Sequence, residues 1–362
     1  MLGVLEFRST ATLNYVIIQN TENLHTMSFY NSCIRLFSLF VLITLNTSLF
    51  ASTVDVIEVN VRVYLEGPMI GSFETGATHN RPLMRDDLRE NPIDNNQYIP
   101  VSDIYQTPYS SNGYVEVDIT DFYTAVGCGT FEYNKTIANP NQVFSVTGED
   151  AIVDWVFVEL RAENNMDQVI ATRSGLLQRD GDVVDLDGVS PLTFEGIATA
   201  NYFVAVRHRN HLGVMTLYPQ TPEQLSDLVD FSDFNLALYD FGNNDPKFDY
   251  SGLAAKVQTD HNIRVLFGGD FNCDGKVIFV GESNDHTVIH EEVAMYDPSA
   301  NPLYTTSFDG AIGYLQGDFD MNGQVKFTNP GDDSNYLYGQ VILYSLNSLS
   351  YANFAHLVQQ LP

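Results

Sequence analysis

Short stretches in which apolar and polar residues alternate run through the first two thirds of the chain. Val54 to Leu65 has an apolar residue at nearly every second position, which predicts one long strand or two abutting strands. Further segments of this kind follow, separated by turn residues: Ile152–Leu160, Gln168–Leu177, Val183–Asp187, Leu192–Phe194 and Tyr202–Arg207. Short strands with regular turn signals are typical of an antiparallel β-sandwich, so we expect a mainly β chain that begins with such a domain.

Three other parts of the chain follow different patterns. Residues 68–112 are rich in Asn, Pro, Asp and Ser, which predicts a long surface excursion, and residues 218–268 predict a connecting region with one hairpin. Near the C-terminus, Tyr351, Phe354, Val358 and Leu361 recur at helical spacing. This spacing predicts a terminal amphipathic helix that begins at Ser350.

The C-terminal region contains an acidic loop that occurs twice, at Gly269–Phe279 and, 48 residues later, at Gly317–Phe327. Loop positions 1, 3 and 5 carry oxygen-bearing side chains: Asp270, Asn272 and Asp274 in the first copy, and Asp318, Asp320 and Asn322 in the second. In an EF-hand-type calcium loop these positions bind the ion, glycine at position 6 allows the turn, and position 7 offers its carbonyl, here Lys276 or Gln324. Metal-free acidic hairpins share this composition, but the duplication favours a pair of calcium sites.

Each loop lacks the residue that normally closes it. Position 12 of an EF-hand loop is a bidentate Glu, whereas this chain has Gly281 and Asn329 there. Asp285 and Asp333 recur at position 16, so we expect them to complete the calcium shell. The alternative is that each merely caps the helix that follows.

A helix is predicted after each loop, because apolar residues recur there at i, i+4 and i+7. These are Ile289, Val293 and Tyr296 in the first copy and Leu337, Val341 and Tyr344 in the second. The sequence patterns predict four regions: an upstream extension and signal peptide (1–51), a β-sandwich (52–217), a connecting region (218–268) and tandem calcium-binding repeats (269–362).

The net charge narrows the range of partners. The 362 residues include 46 Asp and Glu but only 17 Lys and Arg, a formal charge of −29. This balance argues against nucleic acid and against an anionic membrane surface. Such charge opposes the compact state by self-repulsion, so it is consistent with bound divalent cations.

An apolar run near the N-terminus predicts export. Met27–Arg35 is weakly basic, Leu36–Leu45 is apolar, and Ala51 is a small residue suited to cleavage before Ser52. The run is short for a membrane span, and the mature chain has no other candidate span. An uncleaved signal anchor is the alternative. Of the three cysteines, Cys128 and Cys273 remain in the mature chain, and the sequence leaves open whether they pair.

Two charged clusters have alternative interpretations. Asp180–Asp187 is predicted to form hairpin turns, because Asp-Gly is a preferred turn pair, although a further cation site fits the same residues. Arg207–His211 is predicted to be a solvated strand end beside those turns, with binding of an acidic or sugar ligand as the alternative. Zinc is disfavoured there because His208 and His211 would face opposite sides of a strand.

Three segments, Val153–Arg161, Leu177–Pro191 and Phe203–Met215, resemble a module of large secreted cell-surface proteins of Gram-negative bacteria. In that family the module precedes dockerin-like repeats of the form GDxNxDGxVxxxGxxND, which Gly269–Asp285 and, less closely, Gly317–Asp333 resemble. The resemblance spans residues 54–345. It implies export, often by the type IX route, calcium in the repeats and no established enzymatic activity.

The function these features favour is a secreted, non-catalytic, calcium-binding surface, scaffold or adhesion-type module with an unknown protein or polysaccharide partner at the cell surface. A carbohydrate-binding module that uses Trp155 or Tyr202 as a stacking platform is the alternative. Trp155 shares a strand face with Val153 and Phe157, so we expect it in the core, which favours the first interpretation. A calcium-dependent hydrolase is less favoured, because no nucleophile, P-loop or metalloprotease motif is present.

Overall fold

The computed structural model describes residues 4–9, 12–17, 56–78, 80–105, 130–131, 135–240, 256–258, 261–296, 311–328 and 331–362. The predicted signal peptide and its cleavage site, Cys128 and Asn329 lie outside these ranges. The chain divides into two compact units, Met1–Thr53 and Val54–Pro362. In the first unit, strands β1 (Val4–Ser9) and β2 (Thr12–Ile17) form an antiparallel hairpin.

The second unit is built from many short strands and two long ones. They are β3 (Val56–Val59), β4 (Val61–Arg62), β5 (Thr130–Phe131), β6 (Ile152–Ala162), β7 (Asn165–Gln178), β8 (Asp182–Val184), β9 (Leu192–Glu195), β10 (Tyr202–His208), β11 (His211–Met215), β12 (Val229–Asp230), β13 (Lys256–Gln258), β14 (Ile263–Val265), β15 (Ala311–Ile312) and β16 (Gln324–Val325). Strands make up 30% of the residues and helices 15%, which confirms the mainly β class.

Seven of these strands form one curled sheet in the order β11-β10-β6-β7-β8-β4-β12, with β5 added beside β7. The other described strands pair only two by two: β3 with β9, β13 with β14, and β15 with β16. The predicted β-sandwich is therefore not confirmed. The predicted N-terminal strand is two abutting strands, since β3 and β4 join different sheets.

The long hairpin β6–β7 is the centre of the main core. Trp155 on β6 is fully buried opposite Leu176, and its Nε1 donates to the carbonyl of Pro100 at 2.8 Å, which confirms its expected core position. Every residue of β6 is buried because irregular chain covers the sheet. The described part of the predicted surface excursion contributes to that cover, since Met84, Leu88, Ile99 and Tyr105 pack into the same core. Isolated apolar residues in a polar segment carry no periodicity, so the pattern did not reveal their burial.

Five helices are described: α1 (Glu66–Met69), α2 (Pro140–Val143), α3 (Pro222–Asp227), α4 (His286–Met295) and α5 (Asp333–Ile342). Helices α4 and α5 are the two predicted after the acidic loops, and Ile289, Val293, Leu337 and Val341 of their expected stripes are buried. Tyr296 and Tyr344 lie just beyond the helix ends, Tyr296 half-buried and Tyr344 buried. Together with the loops they enclose a second core that includes Phe271, Val277, Phe319 and Val325. In the described part of the chain, no helix has both the length and the apolar character that a membrane span requires.

The predicted terminal helix is wrong. Residues 351–362 are irregular, with Val358 bridged to Lys276, and the N–H of Val277 donates to the carbonyl of Leu357 at 2.9 Å. Leu357 and Leu361 of this segment are buried. The backbone groups that a helix would have paired internally are partly paired with the first acidic loop instead. The apolar residues at helical spacing therefore belong to an irregular segment and not to a helix.

Candidate metal centre

The two acidic loops fold as matched turns built around their first aspartate. In the first loop, Oδ2 of Asp270 accepts a hydrogen bond from the N–H of Gly275 at 3.1 Å. In the second, Oδ2 of Asp318 accepts from the N–H of Gly323 at 2.7 Å. Both glycines have a φ of +78°, a conformation that glycine adopts without steric cost, so the expected sharp turn at position 6 is present in both copies.

The side chains at positions 3 and 5 partly serve the turns themselves. Asn272 accepts from the N–H of Asp274 at 3.0 Å, and Asp274 accepts from the N–H of Lys276 at 3.0 Å. In the second copy, Asn322 accepts from the N–H of Gln324 at 2.8 Å. These local bonds shape the loops and occupy one oxygen of each side chain, so they limit what those side chains offer to an ion.

Asp285 and Asp333 turn back onto their loops in the same way. Asp285 accepts from the N–H groups of Phe271 at 2.7 Å, through Oδ1, and Ile278 at 2.8 Å, through Oδ2. Asp333 accepts from the equivalent groups of Phe319 and Lys326, both at 2.7 Å. Each aspartate therefore joins the two ends of its loop from the position that the repeat had indicated.

The residue before each of these aspartates caps the helix that follows. Asn284 accepts from the N–H of Thr287 at 3.0 Å, and Asp332 accepts from the N–H of Asn335 at 2.6 Å. Asp285 stands at the N-cap position of α4 but its side chain makes no capping hydrogen bond. The alternative that the position-16 aspartates act only as caps therefore does not describe this structure.

The second loop gathers three carboxylates. One oxygen from each of Asp318, Asp320 and Asp333 lies within 4.8 Å of the others, and all three residues are buried. Oδ1 of Asp320 makes no hydrogen bond, and neither does Oδ1 of Asp270 in the first loop, although both atoms are buried. A buried carboxylate oxygen without a donor is costly, and a hard cation would remove that cost, so these residues fit an oxygen-ligated metal ion.

Burial and mutual repulsion raise the pKa values of these carboxyl groups. The pKa of Asp285 rises to about 7, mainly through burial, although the loop N–H groups oppose the rise. Burial raises the pKa of Asp270 well above its ordinary value, and the charge of Asp285 adds to this. The same causes act on Asp318 and Asp333 in the second loop. Such groups favour either a proton or a metal ion as neighbour.

Position 7 of each loop lies where a short antiparallel pairing begins. Gln324 lies in β16 opposite Ile312 of β15. Lys276 of the first loop is bridged to Val358 of the C-terminal segment. The two loops thus have comparable pairing partners, a strand for the second loop and an irregular segment for the first, taken from different parts of the chain.

The predicted solvated strand end at Arg207–His211 is wrong, because these residues are buried where the sheet meets the loops. Arg209 is fully buried; its Nε donates to Asp154 at 2.9 Å and its Nη1 donates to the carbonyl of Leu315 at 2.5 Å. The amide of Asn210 donates to the carbonyl of Asp318 at 2.9 Å. The β10–β11 turn is therefore a polar support beneath the second loop, and Asp154 supplies the buried counter-charge.

His208 and His211 lie close together, contrary to the sequence prediction. The tight turn places them opposite each other on adjacent strands, with 3.1 Å between their Nδ1 atoms. Nε2 of His208 lies 3.2 Å from Asp154, and Nε2 of His211 accepts from the N–H of Gly67. Burial lowers the pKa of both rings. Their ring nitrogens are occupied by protein partners, so this pair is structural.

Two other side chains lie near the second loop, and no sequence motif indicates their position there. Glu292 on α4 accepts from the N–H groups of Gln316 at 2.7 Å and Gly317 at 2.8 Å, at the entrance to the second loop. Arg85 places Nη1 3.6 Å from Oδ2 of Asp320. Both come from distant parts of the sequence, and only the fold brings them to the loop.

The remaining sequence candidates have structural roles. Asp182 pairs with Arg62, Asp185 pairs with Arg173, and Asp187 accepts from the N–H groups of the turn that follows it, in accord with the hairpin interpretation. Cys273 carries a free thiol that donates to the carbonyl of Arg209 at 3.0 Å.

In comparisons with known proteins, no protein-family model, no curated protein and no solved structure matches the chain.

Proposed function

We propose that this protein is a secreted, non-catalytic calcium-binding module of the surface, scaffold or adhesion type, in which calcium stabilises the C-terminal loop pair. The observation that carries the proposal is the cluster of Asp318, Asp320 and Asp333, with a buried oxygen of Asp320 left without a hydrogen bond. In the first loop Asp270 and Asp285 hold the matching positions and Oδ1 of Asp270 is likewise buried without a hydrogen bond, but the described residues of that loop do not bring three carboxylates together.

Calcium suits these loops better than a transition metal. The proposed ligands are carboxylate, amide and carbonyl oxygens, which hard cations prefer, and the loops contain no His or thiolate set suited to zinc or copper. Calcium also accepts irregular geometry with six to eight oxygens, whereas magnesium requires a near-ideal octahedron. A net charge of −29 adds a general attraction for divalent cations.

An exposed apolar surface beside α5 supports a role in protein interaction. Leu343, Leu349 and Tyr351 are 79%, 67% and 57% exposed. Asn347 holds this segment in shape, because its amide donates to the carbonyls of Val341 at 2.8 Å and Tyr351 at 2.9 Å. We propose that the calcium-stabilised loop pair keeps this surface folded for a protein or polysaccharide partner at the cell surface.

The carbohydrate-binding alternative has less support. Trp155 and Tyr202, its intended stacking platform, are 0% and 5% exposed, so neither ring face is open to a sugar. A glycan partner would have to use other rings.

Calcium titration with thermal denaturation tests the proposal. We expect the melting temperature of the mature chain to rise with calcium, to fall again with a chelator, and to respond much less to magnesium. No shift at about 10 mM calcium, a concentration well above the dissociation constants of extracellular modules, would overturn the proposal.

Export is tested separately. N-terminal sequencing of exported protein is expected to return a start within a few residues of Ser52. A start at Met1 or Met27 would contradict the signal-peptide assignment and leave the calcium proposal untouched.

A further inference from the structure

Arg85, which lies outside the loops in sequence, contacts a carboxylate of the second acidic loop. Among the described residues the first loop forms no such ion pair, and the nearby cation is its own Lys276, whose charge acts on Asp274. Nη1 of Arg85 lies 3.6 Å from Oδ2 of Asp320, and the side chains of Arg85 and Asp320 are 25% and 7% exposed. The guanidinium therefore partly neutralises a carboxylate that we propose as a metal ligand.

Arg85 is held in place by other groups. Its Nε donates to Oδ2 of Asp87 at 3.0 Å, its Nη2 pairs with the same oxygen, and its Nη1 donates to the carbonyl of Ile70 at 3.0 Å. These anchors keep the guanidinium beside the loop whether or not Asp320 faces it. An ion that binds at Asp320 would thus meet this positive charge and would have to break its contact with Asp320.

The first loop differs at the matching position. It has the uncharged Asn272 where the second has Asp320, and the amide of Asn272 donates to the carbonyl of Ser283 at 2.8 Å. Among the described residues, no Lys or Arg forms an ion pair with Asp270, Asp274 or Asp285. The two loops therefore share a backbone design and differ in the charge placed beside it.

We propose that Arg85 is a built-in competitor for the second calcium site, so that the first loop fills first and calcium enters the second loop only by displacing the guanidinium from Asp320. This inference rests on the proposed calcium function and adds its regulation. A monovalent charge a few ångströms from a divalent ion is strongly repelled where solvent screening is partial. Removal of the Arg85 charge should strengthen the second site by about tenfold, which corresponds to about 1.4 kcal/mol.

Displacement of the Arg85 guanidinium would also affect the segment that carries Arg85. With an ion held at Asp320, Arg85 would retain only its bonds to Asp87 and to the carbonyl of Ile70. The segment around Ile70–Asp87 should therefore respond to occupancy of the second loop and not to occupancy of the first.

Calorimetric titration of the full mature chain with calcium chloride tests the inference. Asp285→Asn and Asp333→Asn identify which binding step belongs to which loop. In Arg85→Met, the step assigned to the second loop should strengthen about tenfold and the other should stay unchanged. Arg85→Lys keeps the charge and should stay close to wild type. Arg89→Met is the matched control, because Arg89 is a neighbouring arginine that pairs with Asp86 and not with a loop residue.

The outcomes separate the two proposals. Two calcium steps that are both unchanged in Arg85→Met would overturn the role of Arg85 and leave the calcium function standing. A stronger step at the first loop instead of the second would also overturn it. Absence of any calcium binding in the wild-type chain would refute the proposed function, and this inference with it. Circular dichroism of each variant verifies that the fold is retained, and Arg85→Gln, which also removes the charge, replaces Arg85→Met if that variant folds poorly.

Discussion

The proposed role of Asp285 in closing the calcium shell leads to a specific prediction about the first loop. In Asp285→Asn one carboxylate oxygen becomes an amide nitrogen, which cannot accept the hydrogen bond of Phe271 or Ile278 and binds calcium poorly. In the absence of calcium the change exchanges a buried acid for a neutral amide. It loses one hydrogen bond of about 1–2 kcal/mol and also removes a buried charge, so the net effect should be small.

The effect in the presence of calcium should be larger. With a dissociation constant near 10⁻⁴ M, typical of an extracellular module, about 10 mM calcium stabilises the folded state by about 2.7 kcal/mol per site. Loss of a ligand that weakens the site about 100-fold reduces this gain to about 0.4 kcal/mol. Asp285→Asn should therefore lose about 2 kcal/mol of calcium-dependent stability, a melting-temperature difference of several degrees.

Thermal denaturation with calcium and with chelator measures both quantities. Asn284→Ala is the matched control, because it removes the actual cap of α4, whose side chain accepts from Thr287 at 3.0 Å. That variant should lose about 1 kcal/mol equally with and without calcium. If Asp285→Asn retained the full calcium gain, or if the two variants behaved alike, the ligand assignment of Asp285 would be refuted.

Three further predictions concern the core, the polar support and pH. Trp155→Ala should lower the free energy of unfolding by about 3–5 kcal/mol in denaturant titrations, because it empties a fully buried site and removes the bond to Pro100; a near-neutral result would contradict the core assignment. Asp154→Asn should cost about 3–5 kcal/mol by the same measurement, since it leaves Arg209 buried without its counter-charge, whereas an unchanged midpoint would remove that role. Because the pKa of Asp285 is about 7 in the fold and near 4 in an unfolded chain, the calcium-free fold binds more protons, and its stability should fall as pH rises from about 4 to 7. Calcium should reverse this trend, and melting at pH values across that window, with and without the ion, would show whether it does.

Local patterns were enough to find the loops. The carboxylates and amides at positions 1, 3 and 5, the glycine at position 6 and the matched aspartate at position 16 all act within one short segment. Their hydrogen bonds join residues two to fourteen positions apart, such as Asp274 to Lys276 and Asp285 to Phe271. Helices α4 and α5 were likewise predicted, because each buries one stripe whose spacing is a property of the helix itself.

The sequence patterns misled where a residue distant in the chain changes the environment of a side chain. A basic cluster such as Arg207–His211 predicts a solvated surface, because burying unpaired charge is costly. The fold removes that cost for Arg209 by placing Asp154 and the carbonyl of Leu315 against it. The apolar spacing of residues 351–361 predicts a helix, because nothing in the local sequence indicates that this segment pairs with the backbone of the first loop.

The sequence by itself thus determined the mainly β class, the two acidic loops with their following helices, and the residues that we propose to hold calcium. Only the tertiary structure decided the curled seven-strand sheet, the approach of Arg85 to Asp320, and the support of the second loop by Arg209. The physical reason is range: turn and helix geometry is set by neighbours along the chain, whereas the environment of a buried charge is set by whichever distant segment the fold brings to meet it.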